Sequence, residues 1–373
     1  MKIVYCIHGT FNSGGMERII ISKANYLAKK GFKVFIITTE QKERTSFFYI
    51  YPSIECLNLD INYGDENNSS FIRKIISFRR KQRVHKEKLR NILYKIKADI
   101  VISTFGNEVN FLYSIKDGSK KLLEIHFSKF FRNQQKRKGI WKIVDKYRSY
   151  IDENKTKKYD KFIVLTYEDR FFWKNQNNII VIPNFIPFIP EAKAKLTNKI
   201  CLAVGRLTYQ KGFDRLIDIW KLVYEKFPDW QLHIYGSGEL HDSLQNKINN
   251  YHLENVVKIY SPTKKIDAVY KESSILLLTS HYEGLPMVLL EAFSYGLPVV
   301  SFACKCGPKD LIENGINGYL LSDGDIANFA GNVIRLISDE NLRQQMGNNA
   351  YLSVHQYSEK RIMDEWINLF HNI

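Results

Sequence analysis

The sequence lacks any apolar run that approaches the roughly 20 residues a helix needs to cross a bilayer. It also lacks the pattern of an export signal, because its first residues carry a single basic side chain and the apolar stretch is interrupted at His8 and Gly9. The residues Lys2–Ile7 instead favour a first β-strand. We therefore expect a cytoplasmic protein without a membrane-spanning segment.

Cysteine is scarce, with five residues, an odd number, scattered at positions 6, 56, 201, 304 and 306. Cys6 and Cys201 lie within apolar, strand-like runs, which is typical of small core residues. Cys304 and Cys306 are closer together than the usual two-residue spacing, and no second Cys or His pair accompanies them in the sequence. The cysteines therefore do not predict a zinc site.

Acidic residues are fewer than basic ones: the sequence has 39 Asp and Glu and 55 Lys and Arg, which gives a formal net charge of +16. The excess is concentrated in the first half: residues 71–97 hold eleven basic residues and one acidic, and residues 120–148 hold ten and two. Both stretches interleave aromatic or aliphatic residues, which favours a basic amphipathic surface attracted to anionic lipid or to a phosphate-bearing acceptor. A solvated helix face is the alternative, and nucleic acid would be attracted by the same charge.

The length of 373 residues suits two domains of roughly 150–200 residues each. Short β-branched runs alternate with helical patterns throughout, which favours parallel sheets covered by helices on both faces. Strands are predicted at 2–7, 33–38, 100–104, 121–125, 161–165 and 179–182, and then at 200–204, 231–235, 256–260, 275–279 and 298–301. Prolines at 183, 187 and 190 precede a polar stretch, so we predict a first domain at 1–184, a linker at 185–198 and a second domain at 199–355.

The loops that follow the strands are where an open α/β sheet binds its ligand. The first such loop brings Gly14 and Gly15 to the start of a helix predicted at 15–30, where the absence of side chains lets a bulky anionic group approach the backbone. The third glycine of the dinucleotide fingerprint is missing, which argues against a dehydrogenase.

A second loop, after the strand at 200–204, contains Gly205, Arg206 and Lys211. Two cations five residues apart on a glycine-bounded loop can reach one phosphate group. The forked guanidinium of an arginine and the compact ammonium of a lysine together suit a diphosphate. Ordinary loop cations that point to solvent are the alternative. Gly236 and Gly238, after the strand at 231–235, are predicted to line the same crevice.

A third loop, with the sequence EGLPM from Glu283, precedes an apolar helical run that contains Glu291. Pro286 suits the first turn of this helix, which leaves Glu283 just before it and Glu291 about a turn and a half inside. A carboxylate in an apolar helix is costly without hydrogen-bond partners, and the vicinal hydroxyls of a sugar or a ribose are suitable ones. The alternative is a glutamate favoured by the helix dipole together with one surface glutamate.

The segment Asp323-Gly324-Asp325 looks like the D-x-D motif of metal-dependent glycosyltransferases of another fold. It stands directly before a helix predicted at 326–337, so a turn and an N-cap explain it better. No metal site is predicted.

Taken together, these segments resemble the retaining glycosyltransferases of family 4, which have the GT-B fold. The matching pieces are residues 14–18, Gly205-Arg206 with Lys211-Gly212, Glu283 to Glu291 as an E-x7-E motif, and Gly307-Pro308. The resemblance implies two Rossmann-like β/α/β domains that face each other across a deep cleft. It also implies that the last helix, at 356–373, crosses back onto the first domain.

Carried over residue by residue, the resemblance implies that Arg206 and Lys211 bind the donor diphosphate and stabilise the leaving nucleotide. Glu283 would contact hydroxyls of the transferred sugar and Glu291 the ribose. His126, after the strand at 121–125, resembles a family histidine that touches the donor sugar near the reaction centre, with a packed core histidine as the alternative. The donor-binding set it implies is Gly14, Gly15, Gly205, Gly236, Gly238, Gly284, Leu285, Pro286, Met287 and Glu291.

The activity implied is that of a retaining hexosyltransferase that needs neither a metal nor a cofactor. It would move a sugar from a nucleotide diphosphate sugar, with a UDP-sugar favoured, to a hydroxyl of a glycan or lipid-linked acceptor in cell-surface polysaccharide synthesis. An anionic membrane surface is a further expected partner, at the inner face of the membrane, and nucleic acid is not. The alternatives are a nucleotide-sugar epimerase of the same fold and a basic nucleic-acid-binding protein, which would leave the Glu283 and Glu291 pair unexplained.

Overall fold

A computed structural model of the chain describes residues 1–66, 71–131, 140–173 and 176–373. The chain forms two compact units. The first consists of Met1–Leu165, Arg170–Ile182 and Met363–Ile373, and the second of Thr166–Asp169 and Pro183–Ile362. The residues predicted as a linker, 185–198, thus belong to the second unit. Phe185 and Ile186 are buried there, and the Ile186 amide donates to the Tyr357 carbonyl at 2.9 Å.

The first unit is built on a parallel sheet of seven strands in the order β3-β2-β1-β4-β5-β6-β7. The strands are β1 (Lys2–Ile7), β2 (Lys33–Thr38), β3 (Glu55–Asn58), β4 (Ile100–Ser103), β5 (Lys120–Glu124), β6 (Lys161–Val164) and β7 (Ile179–Val181). The α-helices are α1 (Gly15–Lys29), α2 (Phe71–Ile96), α3 (Ile140–Thr156) and α4 (Tyr167–Phe172), with 3-10 turns at Tyr63–Glu66, Asn107–Asn110 and Leu112–Ser114. The α4 helix continues from the second unit into the first.

The second unit is built on a parallel sheet of six strands in the order β10-β9-β8-β11-β12-β13. The strands are β8 (Ile200–Val204), β9 (Gln231–Tyr235), β10 (Val257–Tyr260), β11 (Ile275–Leu278), β12 (Val299–Phe302) and β13 (Gly318–Leu321). The α-helices are α5 (Phe213–Tyr224), α6 (His241–Asn250), α7 (Ile266–Glu272), α8 (Met287–Ser294), α9 (Pro308–Leu311), α10 (Ile326–Ser338) and α11 (Glu340–Val354). The last helix, α12 (Glu359–His371), begins in this unit, and its residues from Met363 belong to the first. There are 3-10 turns at Tyr209–Lys211 and His355–Tyr357.

The central strands of both sheets are apolar on both faces, as parallel sheets covered by helices require. Ile3, Val4 and Tyr5 of β1 are completely buried, and so are the three middle residues of β8. The prediction of two Rossmann-like parallel sheets is confirmed. The C-terminal residues from Met363 pack in the first unit, where the Trp366 ring lies 4.2 Å from the Lys23 ammonium.

In each sheet the strand order reverses once, between β1 and β4 in the first and between β8 and β11 in the second. A crevice opens at the carboxyl ends of the strands where the order reverses. In the second unit the loops after β8 and β11 therefore flank such a crevice, and these loops carry the two most specific motifs of the sequence. Of the helices within the described ranges, none has the length and apolar character needed to cross a membrane.

Candidate active site

The loops after β8 and β9 pack so closely that they require glycine. A Cβ added at Gly236 would lie 1.8 Å from the Gly205 carbonyl oxygen, and one at Gly238 would lie 2.4 Å from the Leu207 carbonyl oxygen. A Cβ at Gly205 would lie 3.0 Å from the stem of Lys211. These glycines thus have a packing role in the unit itself, and their contact with a donor stays a prediction.

Lys211 and Glu283, which are 72 residues apart in the sequence, form an ion pair at this edge of the sheet. The Lys211 ammonium lies 2.7 Å from Oε1 of Glu283, and the two side chains are only 14% and 8% exposed. The Ser280 hydroxyl donates to the same carboxylate oxygen at 2.6 Å. The structure thus places a cation and an anion side by side in the crevice.

The loops that carry this ion pair are joined by contacts on both sides of it. The His281 amide donates to the Gln210 carbonyl at 2.8 Å, and the Gln210 side-chain amide donates to the Tyr282 carbonyl at 3.1 Å. The rings of Tyr209 and His281 stack at 4.3 Å with an interplanar angle of 11°. These contacts fix the two loops to each other, and with them the relative position of Lys211 and Glu283.

Arg206 is the second predicted cation of this loop, and its side chain is exposed. Its guanidinium lies 3.3 Å from the Gln210 side-chain oxygen. Burial raises the pKa of the neighbouring Tyr282, and the positive charge of Arg206 opposes that rise. The structure thus brings Lys211 to Glu283 but leaves Arg206 at the rim, facing solvent.

Arg215, which the sequence did not single out, holds the end of β11 in place. Its buried guanidinium donates to the carbonyls of Thr279 and Ser280, each at 2.6 Å, and to Oδ1 of Asp323 at 2.6 Å. The predicted N-cap is confirmed at Asp325, whose carboxylate accepts from the Asn328 amide at 3.1 Å at the start of α10. Within the D-x-D segment, Asp323 thus forms an ion pair with Arg215, and Asp325 caps α10.

The helix after the third loop begins at Met287, so Pro286 is its N-cap residue in an extended conformation and not part of its first turn. Leu285 is buried, and Gly307 packs against this loop, since a Cβ there would lie 2.8 Å from the Gly284 carbonyl oxygen. The chain therefore turns tightly from this loop into α8.

Glu291 lies half-buried in α8 and has the polar partner that its position requires. The Tyr270 hydroxyl, from α7, donates to its Oε2 at 2.8 Å. The Tyr270 ring stacks on Tyr295 at 5.3 Å with an interplanar angle of 5°. The sequence predicted a partner for Glu291 but not that another side chain of the same unit would supply it.

In the first unit, Gly14 and Gly15 stand at the start of α1, as predicted. A Cβ at Gly14 would lie 2.3 Å from the flexible end of Glu17, whereas a Cβ at Gly15 would have no atom within 4 Å. Packing within the unit therefore does not explain a glycine at Gly15. The predicted approach of a phosphate to this backbone remains a prediction.

His126 follows β5 and lies next to a buried ion pair of Lys23 and Glu124. Its Nε2 lies 3.1 Å from Oε1 of Glu124, and this oxygen accepts a hydrogen bond from the ammonium of the fully buried Lys23. Burial raises the pKa of Glu124, but the interactions with Lys23 and His126 outweigh this effect and lower the pKa to about 2. The His126 ring thus lies beside a carboxylate that is itself held by a lysine, and no pattern in the sequence indicates this arrangement.

Comparison with known proteins places this architecture in a family. Residues 186–353 match the model of the glycosyl transferases group 1 family. An uncharacterized glycosyltransferase of Haemophilus influenzae is 32% identical over 372 residues, which cover 98% of both chains. The chain belongs to this family of glycosyltransferases. The matched segment includes the loops after β8, β9 and β11, so the Lys211–Glu283 pair lies within the part of the chain that the family model describes.

Further relatives of this glycosyltransferase match over part of its length. The amylovoran biosynthesis glycosyltransferase AmsD of Erwinia amylovora is 39% identical over 218 residues, covering 56% of this chain and 61% of that protein. The lipopolysaccharide 1,6-galactosyltransferase of Salmonella typhimurium is 39% identical over 145 residues, covering 38% of this chain and 40% of that protein.

Solved structures agree on the fold over the whole chain. A point mutant of the S. aureus protein TarM, solved with fondaparinux, α-GlcNAc-glycerol and UDP, has a TM-score of 0.78 at 21% identity, and the match covers 99% of both chains. The lipopolysaccharide outer core galactosyltransferase WaaB has a TM-score of 0.74 at 23% identity, and the match covers 100% of both chains. This glycosyltransferase therefore has the GT-B fold, with two Rossmann-like domains.

Proposed function

We propose that this glycosyltransferase moves a sugar from a UDP-sugar to a hydroxyl of a glycan or lipid-linked acceptor in the synthesis of a cell-surface polysaccharide. The observation that carries the proposal is the Lys211–Glu283 pair, with its 2.7 Å contact, at the carboxyl ends of adjacent strands. A cation there suits the diphosphate of the donor, and an anion suits the hydroxyls of its sugar.

The donor is proposed to replace the ion pair by contacts of its own. Lys211 and Arg206 would bind the diphosphate, and Glu283 would accept hydrogen bonds from the transferred sugar. Glu291 would accept from the ribose beside the hydroxyl of Tyr270, which already orients its carboxylate. The amides at the start of α8 add partial positive charge near the phosphates.

The reaction is proposed to proceed with retention of the anomeric configuration and without a metal ion. The difficult step is departure of the nucleoside diphosphate, and the fixed cation Lys211 opposes the negative charge that develops on it. The acceptor hydroxyl would attack from the face of the leaving group and lose its proton to the departing phosphate. His126, whose Nε2 lies 3.1 Å from the Glu124 carboxylate, would contact the sugar.

The relatives support an acceptor of the bacterial cell surface. The names of the two partial matches are those of an amylovoran biosynthesis enzyme and a lipopolysaccharide galactosyltransferase. A third, from S. aureus, is a poly(ribitol-phosphate) α-N-acetylglucosaminyltransferase, 33% identical over 227 residues. These names refer to polysaccharides and to a polyol phosphate, which favours such an acceptor here over a nucleic acid or a free nucleotide.

The donor and the stereochemistry can be tested with methanol as a surrogate acceptor. UDP-sugars and GDP-sugars with an α-linked sugar are offered as donors in the presence of EDTA. We expect one UDP-sugar to yield the α-methyl glycoside of its sugar, which proton NMR identifies. A methyl glycoside does not interconvert between anomers, so the product reports the stereochemistry directly. A β-glycoside would contradict retention, and turnover of none of the donors would contradict the proposed function.

A peripheral membrane position is proposed from the exposed face of α2. Ile76, Arg79, Arg80 and Arg83 follow helical spacing along this face and are all exposed, with Ile76 at 63%. Apolar and basic side chains together suit the interface of an anionic bilayer. Of the second basic stretch, at 120–148, residues 132–139 lie outside the described ranges.

Vesicle sedimentation tests this membrane contact. The variant R79Q/R80Q/R83Q leaves Lys81 in place, because Lys81 donates to the Asn62 carbonyl and has a structural role. We expect it to lose binding to phosphatidylglycerol vesicles, with neutral phosphatidylcholine vesicles as the control. Unchanged binding by the variant would contradict the membrane proposal and leave the transfer reaction untouched.

A further inference from the structure

A pocket of about 530 Å³ opens in the first unit between α2 and α3. It lies over the 3-10 turn Asn107–Asn110 that follows β4, so it is at the carboxyl end of the sheet, where α/β units bind ligands. The side chains that matter for its chemistry are Phe78, Phe105, Asn107, Asn110, Arg148 and Lys155. The volume suits a single sugar ring with a substituent.

Phe105, which lines this pocket, has an unusual backbone conformation. Its φ is +62°, in the left-handed region that bulky residues avoid. The ring packs edge-on against Phe127 at 5.5 Å, and Phe127 directly follows His126 in the chain. Strained residues of this kind cluster at ligand sites. Phe105 of the pocket thus contacts the chain neighbour of His126, the residue proposed to contact the transferred sugar.

The polar groups of the pocket divide into those already engaged and those available. The Lys155 ammonium donates to Oδ1 of Asn110 at 2.6 Å and lies 3.6 Å from Asp152. Arg148 is exposed, and neither its guanidinium nor the side-chain amide of Asn107 has a hydrogen bond or ion pair within the part of the chain that the structure describes. One cation and one amide therefore remain to bind a ligand.

We infer that this pocket binds a sugar unit of the acceptor that carries a phosphate or carboxylate group. The sugar ring would stack on Phe105, a hydroxyl would bind the Asn107 amide, and the anionic group would pair with the guanidinium of Arg148. This inference rests on the proposed function, and it narrows the acceptor from glycans in general to anionic glycans.

The experiment is a ligand-observed NMR titration of the full-length protein without any nucleotide. The probes are α-glucose 1-phosphate, methyl α-glucoside and inorganic phosphate, which separate the contributions of ring and charge. The variants are Arg148→Ala, Phe105→Ala and Lys211→Ala, with Arg90→Ala, an exposed arginine elsewhere on α2, as the matched control. The melting temperature of each variant checks its fold.

We expect α-glucose 1-phosphate to bind more tightly than either other probe. Its affinity should fall at least about tenfold in Arg148→Ala, as for a lost charge-assisted hydrogen bond, fall in Phe105→Ala, and stay unchanged in Arg90→Ala and Lys211→Ala. Loss in Lys211→Ala with retention in Arg148→Ala would mean that the probe binds the donor site, and it would overturn the inference.

Two other results would also overturn it: no binding of the sugar phosphate, or equal binding of inorganic phosphate, which would mean a simple anion site. UDP binding by the same protein sample, lost in Lys211→Ala, reports on the donor site separately. A result that contradicts the pocket inference can therefore be distinguished from one that contradicts the proposed function.

Discussion

Glu124→Gln removes a buried negative charge while it keeps the shape of the side chain. The carboxylate lies at the end of β5, is completely buried, and is in contact with Lys23 and with Nε2 of His126 at 3.1 Å. Glutamine leaves the buried Lys23 ammonium without an opposite charge in contact. We therefore expect the variant to destabilise the first unit.

The magnitude follows from the pKa of Glu124, which is about 2 in the folded protein against an ordinary value of 4.5. Each pH unit of this difference corresponds to about 1.36 kcal/mol, so ionised Glu124 contributes roughly 3 kcal/mol at pH 7. Breaking a buried ion pair by removing one partner costs about 3–5 kcal/mol, which is the same range. Because the folded pKa is the lower one, this stabilisation is present above about pH 4.5 and is lost as the pH falls towards 2.

Hydrogen exchange followed by mass spectrometry measures this effect in the full-length chain, because it reports the opening free energy of the β5 peptide itself. The matched control is Glu55→Gln, since Glu55 forms an exposed ion pair with Lys33 at 3.1 Å and its loss should cost about 1 kcal/mol or less. We expect a deficit of about 3 kcal/mol at pH 7 in Glu124→Gln, falling to roughly half or less by pH 3. A deficit below about 1 kcal/mol at pH 7, or one independent of pH, would refute the reasoning.

Three further changes test the second unit. Glu283→Ala should lower turnover in the methanol assay by roughly 10²–10³-fold, as for a lost transition-state contact, and near-normal turnover would contradict its role. Tyr270→Phe should weaken UDP binding by up to about tenfold, because Glu291 loses a hydrogen bond worth about 1 kcal/mol; unchanged calorimetric affinity would count against a ribose contact. Gly236→Ala should unfold or strongly destabilise the unit in a thermal melt, because its Cβ would lie 1.8 Å from a carbonyl oxygen, whereas Gly331→Ala in α10, with open space around it, should not.

The sheets could be predicted where their strands are buried on both faces. The observed bounds of β1, β2, β8 and β9 agree with the prediction residue for residue, because apolar runs of that length are typical of central parallel strands. β3 was missed, since its residues Glu55–Asn58 form an edge strand that is mostly exposed and carry no apolar pattern. β13 was missed as well, because it begins at Gly318, where the backbone approaches Val299 too closely for a side chain.

The loops of the site could be predicted from the sequence, but their pairings could not. Glycines and charged residues after apolar strands indicate which loops carry chemistry. The contact between Lys211 and Glu283 depends on β8 and β11 being neighbours in the sheet, which no local pattern reports. Arg215 was missed for a related reason, since two of its three partners are backbone carbonyls, which have no signature in the sequence.

The central claim is that Lys211 in the second unit binds the diphosphate of a nucleotide donor, and a calorimetric titration with UDP tests it most directly. The comparison is between the wild type, Lys211→Ala and Lys247→Ala, a matched control because Lys247 also forms an ion pair in this unit, with Asp218 at 2.6 Å. We predict that UDP binds the wild type both with and without EDTA. Its affinity for Lys211→Ala should be lower by about tenfold or more, and its affinity for Lys247→Ala should equal that for the wild type. Equal affinity in Lys211→Ala and the wild type, or no binding of UDP at all, would contradict the account.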